Sequence, residues 1–278
     1  MKLILSMSCV DFRRLACQLE DYKGGILFSY MDLRKKMDYI LPTLIKLRKK
    51  NPKLFVMVDS GAHSFLYMYG KTVLKRSMEM GHGINQEVIR IVKSEGIEKY
   101  ISNYTNFMYR YQNVFDCFVE LDLQSMYGMD VIENWRTRFN RSSKGKLMVV
   151  WHGESNKILE QWCKDYTFIG LGGTGAGANL RSPKFIQQVT KRYPDNKFHL
   201  FAMTDNKLSK YSETGLFSAD STSWSLGKRF GLFYYFEKGQ LYGESKYFLR
   251  RDNNRADMVN LLAWKQFGNY LNDIGRFR

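Results

Sequence analysis

The sequence predicts an α/β protein, a single (β/α)8 TIM-like barrel spanning residues 1–278 with a C-terminal closing helix. Three observations carry that prediction. Short, continuous apolar runs of strand length recur along the chain, as in parallel sheets covered on both faces. Amphipathic stretches with helix-start signals lie between them. No low-complexity tract, short-period repeat or Gly/Ser linker divides the 278 residues. About eight strands then share one unit, which favours a closed barrel over a doubly wound sheet.

The runs read as strands are, in order, "KLILSM", "GILFSY", "LFVMVD", "KYISN", "CFVELD", "LMVVWH", "FIGLG", "FHLFAM" and "LFSAD". The first follows a single lysine and leads into Asp11, Arg13 and Arg14 with no clear cleavage site. It therefore reads as a buried strand rather than a signal peptide. Between strands, "SNKILEQWCKDY" offers Ser155 as an N-cap, with Ile158, Leu159 and Trp162 on one face. "SPKFIQQVTKRYP" has Ser182 as N-cap and Pro183 at the first helical position, with Ile186, Val189 and Tyr193 sharing a face. The segment at about 253–274 reads as the closing helix, with Met258, Leu261, Leu262 and Phe267 available for its inner face.

Composition limits the function. Hydrophobic residues make up 44% of the chain, which excludes a disordered polymer. No apolar run approaches the ~20 residues of a membrane span, so no membrane partner is expected. Lys and Arg number 43 against 27 acids, a net charge of +16, and such a surface attracts polyanions. Cations cluster at Arg34-Lys35-Lys36, Lys46 to Lys53, Arg136 to Lys146 and Arg250-Arg251, several beside aromatics as in "NWRTRFNR". Cations interleaved with aromatics suit backbone contacts plus base stacking. The four cysteines, Cys9, Cys17, Cys117 and Cys163, form no C-x-x-C pair. Neither a zinc site nor a disulfide framework is signalled, and a reducing cytoplasm is the expected location.

Parallel α/β folds place chemistry where strands stop. Here the late strands end in Asp59-Ser60-Gly61, in Asp122 after Glu120, in His152-Gly153, in the cluster "GLGGTGAG", in Thr204-Asp205 and in Asp220. Each has a structural reading when taken alone. Asp59 suits a helix cap, Asp122 a turn, His152 a hydrogen-bonded structural histidine, and Asp220 an Asx-turn. Their conjunction would bring three carboxylates to one barrel mouth, a set suited to chemistry at an anomeric carbon. One ionised Asp attacks the sugar or stabilises an oxocarbenium ion, and a second handles the leaving group's proton. Mutual repulsion raises the pKa of one of them. Strand-end glycines can offer N–H donors to a base carbonyl. The description fits exchange or removal of a nucleobase.

The ordered set "VDSGAHSF", "VELD", "VVWHGES", "FIGLGGTGAG", "HLFAMT" and "FSADSTSW..GKRFG" resembles the guanine transglycosylases of the queuine tRNA-ribosyltransferase superfamily. It is most similar to their compact, zinc-lacking branch, often phage-encoded and related to the DNA 7-deazaguanine transglycosylases. The resemblance covers about residues 54–231. It implies a barrel that swaps guanine in a nucleic acid for a 7-deazaguanine such as preQ0 or preQ1. It implies Asp220 as the nucleophile on C1′ and Asp59, in the D-S-G motif with Ser60 and Gly61, as the proton-transfer group that also holds the base. Asp122 would read the guanine-like edge. Gly172 and Gly173 would donate backbone N–H groups to the base carbonyl, and His152 with Gly153 would help hold the base.

After Asp220 the chain has no cysteine, unlike the zinc-bearing tRNA enzymes. The expectation is therefore no metal and no cofactor beyond the free base, and DNA rather than tRNA as polymer. The location is the host cytoplasm if the chain is virus-encoded. Ser221, Thr222 and Ser223 would position Asp220 or bind phosphate oxygens. Trp224 would stack on a flipped base or fill the core. Lys228 and Arg229 would meet the backbone or be surface cations. A tRNA-guanine transglycosylase, a nucleobase glycosidase or nucleoside hydrolase, and an idle nucleic-acid-binding barrel are the alternatives. Homo-oligomerisation stays open.

Overall fold

The computed structural model describes residues 1–8, 10–62, 64–65, 67, 86–172, 181–203, 205–226, 231–245 and 253–274. Eight parallel strands form a closed barrel in chain order. They are β1 (Lys2–Ser6), β2 (Gly25–Ser29), β3 (Phe55–Asp59), β4 (Cys117–Val119), β5 (Leu147–Trp151), β6 (Phe168–Leu171), β7 (Lys197–Leu200) and β8 (Ser218–Ser221). Closure comes from β8 pairing with β1, with Asp220 opposite Ile4. Side chains alternate across each strand. One set (Ile4, Leu27, Phe55, Met57, Val119 and Val150 among them) plugs the barrel interior. The other set packs outward, under the helices.

The run "KYISN" is not a strand. It lies within the helix Gln86–Tyr111, whose buried Ile97, Ile101, Tyr104 and Met108 recur at spacings of three and four. A helical stripe has this period, and a five-residue window is too short to show it. The caps at Ser155 and Ser182 form as expected: their hydroxyls accept from Ile158 N at 3.3 Å and Phe185 N at 3.2 Å. Those helices span Asn156–Asp165 and Pro183–Arg192.

The chain then forms an antiparallel hairpin, β9 (Leu232–Glu237) and β10 (Gln240–Ser245), which the apolar-run reading does not contain. Its turn residues Lys238 and Gly239 both have positive φ, the tight turn that matches strand twist. The closing helix Asn253–Ile274 packs on this hairpin and on β1. Asn260 ties this helix to β9 and to Trp224, accepting from Tyr234 N and donating to the carbonyls of Leu232 and Trp224. Gly268 allows the close approach to β1, since a Cβ there would lie 2.6 Å from the Tyr22 hydroxyl. Leu261 and Phe267 face inward, whereas Leu262 is on the exposed side. Among the described residues, no helix is long and apolar enough to cross a membrane.

Candidate active site

Ser218 and Asp220 lie two residues apart on β8 and so share its inward face. β7 sets His199 beside Ser218. His199 is fully buried, with Nδ1 2.8 Å from Ser218 Oγ and Nε2 3.3 Å from Asp220 Oδ1. Asp220 Oδ1 also accepts from Ala202 N at 2.8 Å, and Ala202 sits in the left-handed region at φ 51°. Few residues with a Cβ adopt that conformation. Asp220 is thus clamped through one oxygen. Its Oδ2 makes no hydrogen bond among the described residues.

Asp59 ends β3, and its Oδ2 accepts from Gly61 N at 3.0 Å, an Asx-type turn. Gly61 has φ 78° and no room for a side chain, because a Cβ would meet Met31 Cγ at 2.6 Å. Among the described residues the buried Ser60 hydroxyl has no hydrogen-bond partner, while the Ser60 carbonyl accepts from the Tyr100 hydroxyl at 2.5 Å. Burial pushes the Asp59 carboxyl up to about 6, and the negative charges of Asp220 and Asp122 add to the rise. The three aspartates therefore feel one another's charge.

Asp122 pairs with His152, whose Nε2 lies 2.9 Å from both carboxylate oxygens. Both side chains are partly open to solvent. Donation from Nε2–H to the Asp122 carboxylate raises the His152 pKa above its ordinary value, against the opposing effect of burial. The loop that bears Asp122 is anchored just below. Glu120, two residues earlier, is buried with Arg136 in a two-armed ion pair of 2.5 and 2.8 Å. It also accepts from Val150 N on β5 at 2.5 Å.

Several expectations change. Gly172 does not offer its N–H to a ligand, because that group donates to the Trp151 carbonyl at 2.9 Å. Its service is space: a Cβ there would lie 2.3 Å from His152 Nδ1. Gly153 has φ 93° and turns the chain away after His152. Ser221 is fully buried, and its hydroxyl accepts from Ser223 N at 3.2 Å, so it closes a turn instead of binding phosphate. Trp224 is fully buried, its indole N–H donating to the Ser6 carbonyl at 3.0 Å; of its two roles it takes the core one and cannot stack on a base. Thr222 is exposed and Ser223 half-buried. Arg136 is fully buried, bound to Glu120 and stacked 4.0 Å from the Trp162 ring, so it leaves the basic surface. Gly173, Thr204, Lys228, Arg229 and the Arg250-Arg251 pair lie outside the described residues.

Strand-end reasoning missed His199 and Ser218, which lie within their strands. The signal was there: "FHLFAM" and "LFSAD" each put a polar residue at an inward position, and Ser218 and Asp220 share a parity.

No protein-family model matches the sequence, and no curated protein does. Among solved structures, the chain is similar to thiamine phosphate pyrophosphorylase from Pyrococcus furiosus. That likeness has a TM-score of 0.47 at 10% identity and covers 98% of this chain and 96% of that one. It is also similar to the YdjI aldolase from Escherichia coli K12, with a TM-score of 0.49 at 7% identity over 98% and 92% of the two chains.

Proposed function

We propose that this chain is an enzyme, a base-exchange transglycosylase that replaces guanine in DNA with a 7-deazaguanine such as preQ0 or preQ1. The observation that carries the reading is the pairing of two unlike carboxyls at one barrel mouth. Asp220 is held through Oδ1 and leaves Oδ2 for attack, while Asp59 has a carboxyl raised to about 6. A nucleophile needs a fixed lone pair, and a proton carrier works best with a pKa near the working pH.

In the first half-reaction, Asp220 Oδ2 forms a bond to C1′ as the C1′–N9 bond of guanine breaks. The departing N9 takes its proton from the acid form of Asp59. In the second half, Asp59 removes the N9 proton of the incoming deazaguanine. N9 then bonds to C1′ and the Asp220 carboxylate leaves. The Asp122–His152 pair supplies an acceptor and a donor to the edge of either base. The target nucleotide must leave the stack, at roughly a few kcal/mol, and contacts from a basic surface supply that energy. The lack of any cysteine after Asp220 supports DNA over tRNA.

The test incubates the protein with DNA and a panel of 7-deazaguanines, digests the DNA and weighs the nucleosides. Labelled guanine is run in parallel, since a transglycosylase incorporates it and a glycosidase does not. The expected result is a new deazaguanosine nucleoside, or labelled guanine in polymer, lost in Asp220→Asn. Neither product with any base would refute the reading.

A further inference from the structure

A cavity of about 650 Å³ opens over the ends of β1 and β2, apart from the carboxylate cluster. Its position follows from barrel order. Asp220 is on β8 and Asp59 on β3, and β1 and β2 are the strands between them. Ser29, which lines the cavity, is in register with Asp59 across the β2–β3 pair. A polymer with its reacting sugar between the two acids can leave the mouth through this sector of the rim.

The lining suits one nucleotide unit. Its volume is within the about 300–1,000 Å³ of small-ligand sites. Phe12, Phe28 and Met7 give it an apolar floor. Tyr39 is 43% exposed at the edge, where the Arg13 guanidinium lies 4.6 Å from its ring centre. An exposed ring backed by a guanidinium is a platform for base stacking. Lys35 and Lys36 supply two cations whose side chains make no ion pair among the described residues. The Ser29 hydroxyl is buried and has no hydrogen-bond partner among the described residues.

Two acids share the cavity, and they divide it. Asp11 accepts from the Tyr39 hydroxyl at 3.0 Å. Asp32 has no side-chain partner among the described residues. A carboxylate repels phosphate and accepts the N–H groups that bases carry, so the base belongs on the Asp32 side and the phosphates on the lysine side. Lys35 also lines the adjoining cavity, with Arg34, Asn103, Asn106 and Arg110, so the cationic path continues outward.

We infer that this cavity is a subsite for the nucleotide flanking the target base on the same strand, holding its phosphates on Lys35 and Lys36 and its base against Tyr39. The inference rests on the base-exchange reading for which nucleotide occupies the mouth. It goes beyond that reading in assigning a second, non-reacting recognition site.

The experiment measures affinity for single-stranded DNA oligonucleotides centred on one guanine, from the mononucleotide upward, across a salt series. The proteins are wild type, Lys35→Ala/Lys36→Ala, Tyr39→Ala, and Lys184→Ala/Lys191→Ala as a surface control of equal charge. In wild type, the first flanking nucleotide should strengthen binding at least tenfold. The Lys35/Lys36 pair should lose most of that gain, with the salt slope smaller by about 1.4, the value for two phosphates on a single strand. Tyr39→Ala should lose part of the gain with the slope unchanged, and the control should keep it. Equal loss in the control, or an unchanged gain in both cavity variants, overturns the subsite. Loss of guanine exchange in wild type itself refutes the base-exchange reading, and the oligonucleotide affinities still report on the cavity.

Discussion

His199 Nε2 lies 3.3 Å from Asp220 Oδ1, and the other nitrogen of the same ring is fixed by Ser218 Oγ at 2.8 Å. A fully buried imidazole held at both ends cannot turn. It holds the Asp220 carboxylate through Oδ1 and leaves Oδ2, the oxygen proposed above to attack the sugar, without a hydrogen bond among the described residues. In the proposed exchange His199 acts through Asp220, as a positioning residue. An ångström of misplacement at a reacting centre can cost about 10²-fold in rate.

His199→Gln keeps a hydrogen-bonding group but loses the rigid two-ended span. We expect kcat for base exchange to fall about 10²-fold, with KM for the free base within about twofold, because the base is held elsewhere. Ser218→Ala removes only the far support and should fall less. Steady-state kinetics beside thermal melts checks this. A parallel rise in KM, or a rate loss explained by unfolding, would speak against a positioning role.

Asp59 predicts a pH-dependent stability. Its carboxyl is raised from 3.8 to about 6 in the folded protein, so the fold favours the protonated form. Below pH 3.8 both states hold the proton and the site costs nothing. Between pH 3.8 and about 6 the unfolded chain gives up the proton while the native state keeps it, so stability falls across that window, by at most about 3 kcal/mol, and is level above it. The loss is smaller than that limit because Asp59 is not fully closed to water. Asp59→Asn should therefore melt higher than wild type above pH 6, lose the advantage near pH 4, and be inactive throughout. Melting curves from pH 4 to 8 measure it.

Gly172 and His152 predict a steric effect on base binding. Alanine at 172 places a methyl group 2.3 Å from the ring's present position, so His152 must swing away from Asp122. We expect affinity for the free base to drop about tenfold, the scale of one lost charge-assisted hydrogen bond, with little change in melting temperature. Calorimetric titration with the base checks it.

The alternation of apolar runs with capped helices exposed eight strands and their order, because a strand buried on both faces is a contiguous signal. It also created the false strand at Lys99–Asn103, where an aromatic and a β-branched residue mimic a strand over five positions. Asp59, Asp122 and His152 were legible because strand ends are where parallel barrels expose side chains. Trp224 was not settled by sequence, since an indole's place depends on whether a carbonyl such as that of Ser6 waits in the core. Arg136 was read as surface charge because its partner Glu120 is sixteen residues away on another element.

That buried pair makes its own prediction. Removing one partner strands the other charge without water, a loss of about 3–5 kcal/mol. Arg136→Met should lower the denaturation midpoint by that scale and loosen the Asp122 loop, since Glu120 also holds Val150 N. Denaturant titration is the check. A change near zero would mean that water reaches Glu120.

Base exchange by the proposed route requires a bond between Asp220 Oδ2 and C1′ of a deoxyribose. The most direct measurement is intact and peptide mass spectrometry of acid-quenched mixtures of protein and a guanine-containing oligonucleotide, with free base withheld. The protein should gain the mass of the strand lacking one guanine, mapped to the peptide carrying Asp220 and absent in Asp220→Asn. No such adduct, together with unimpaired turnover in Asp220→Asn, would contradict it.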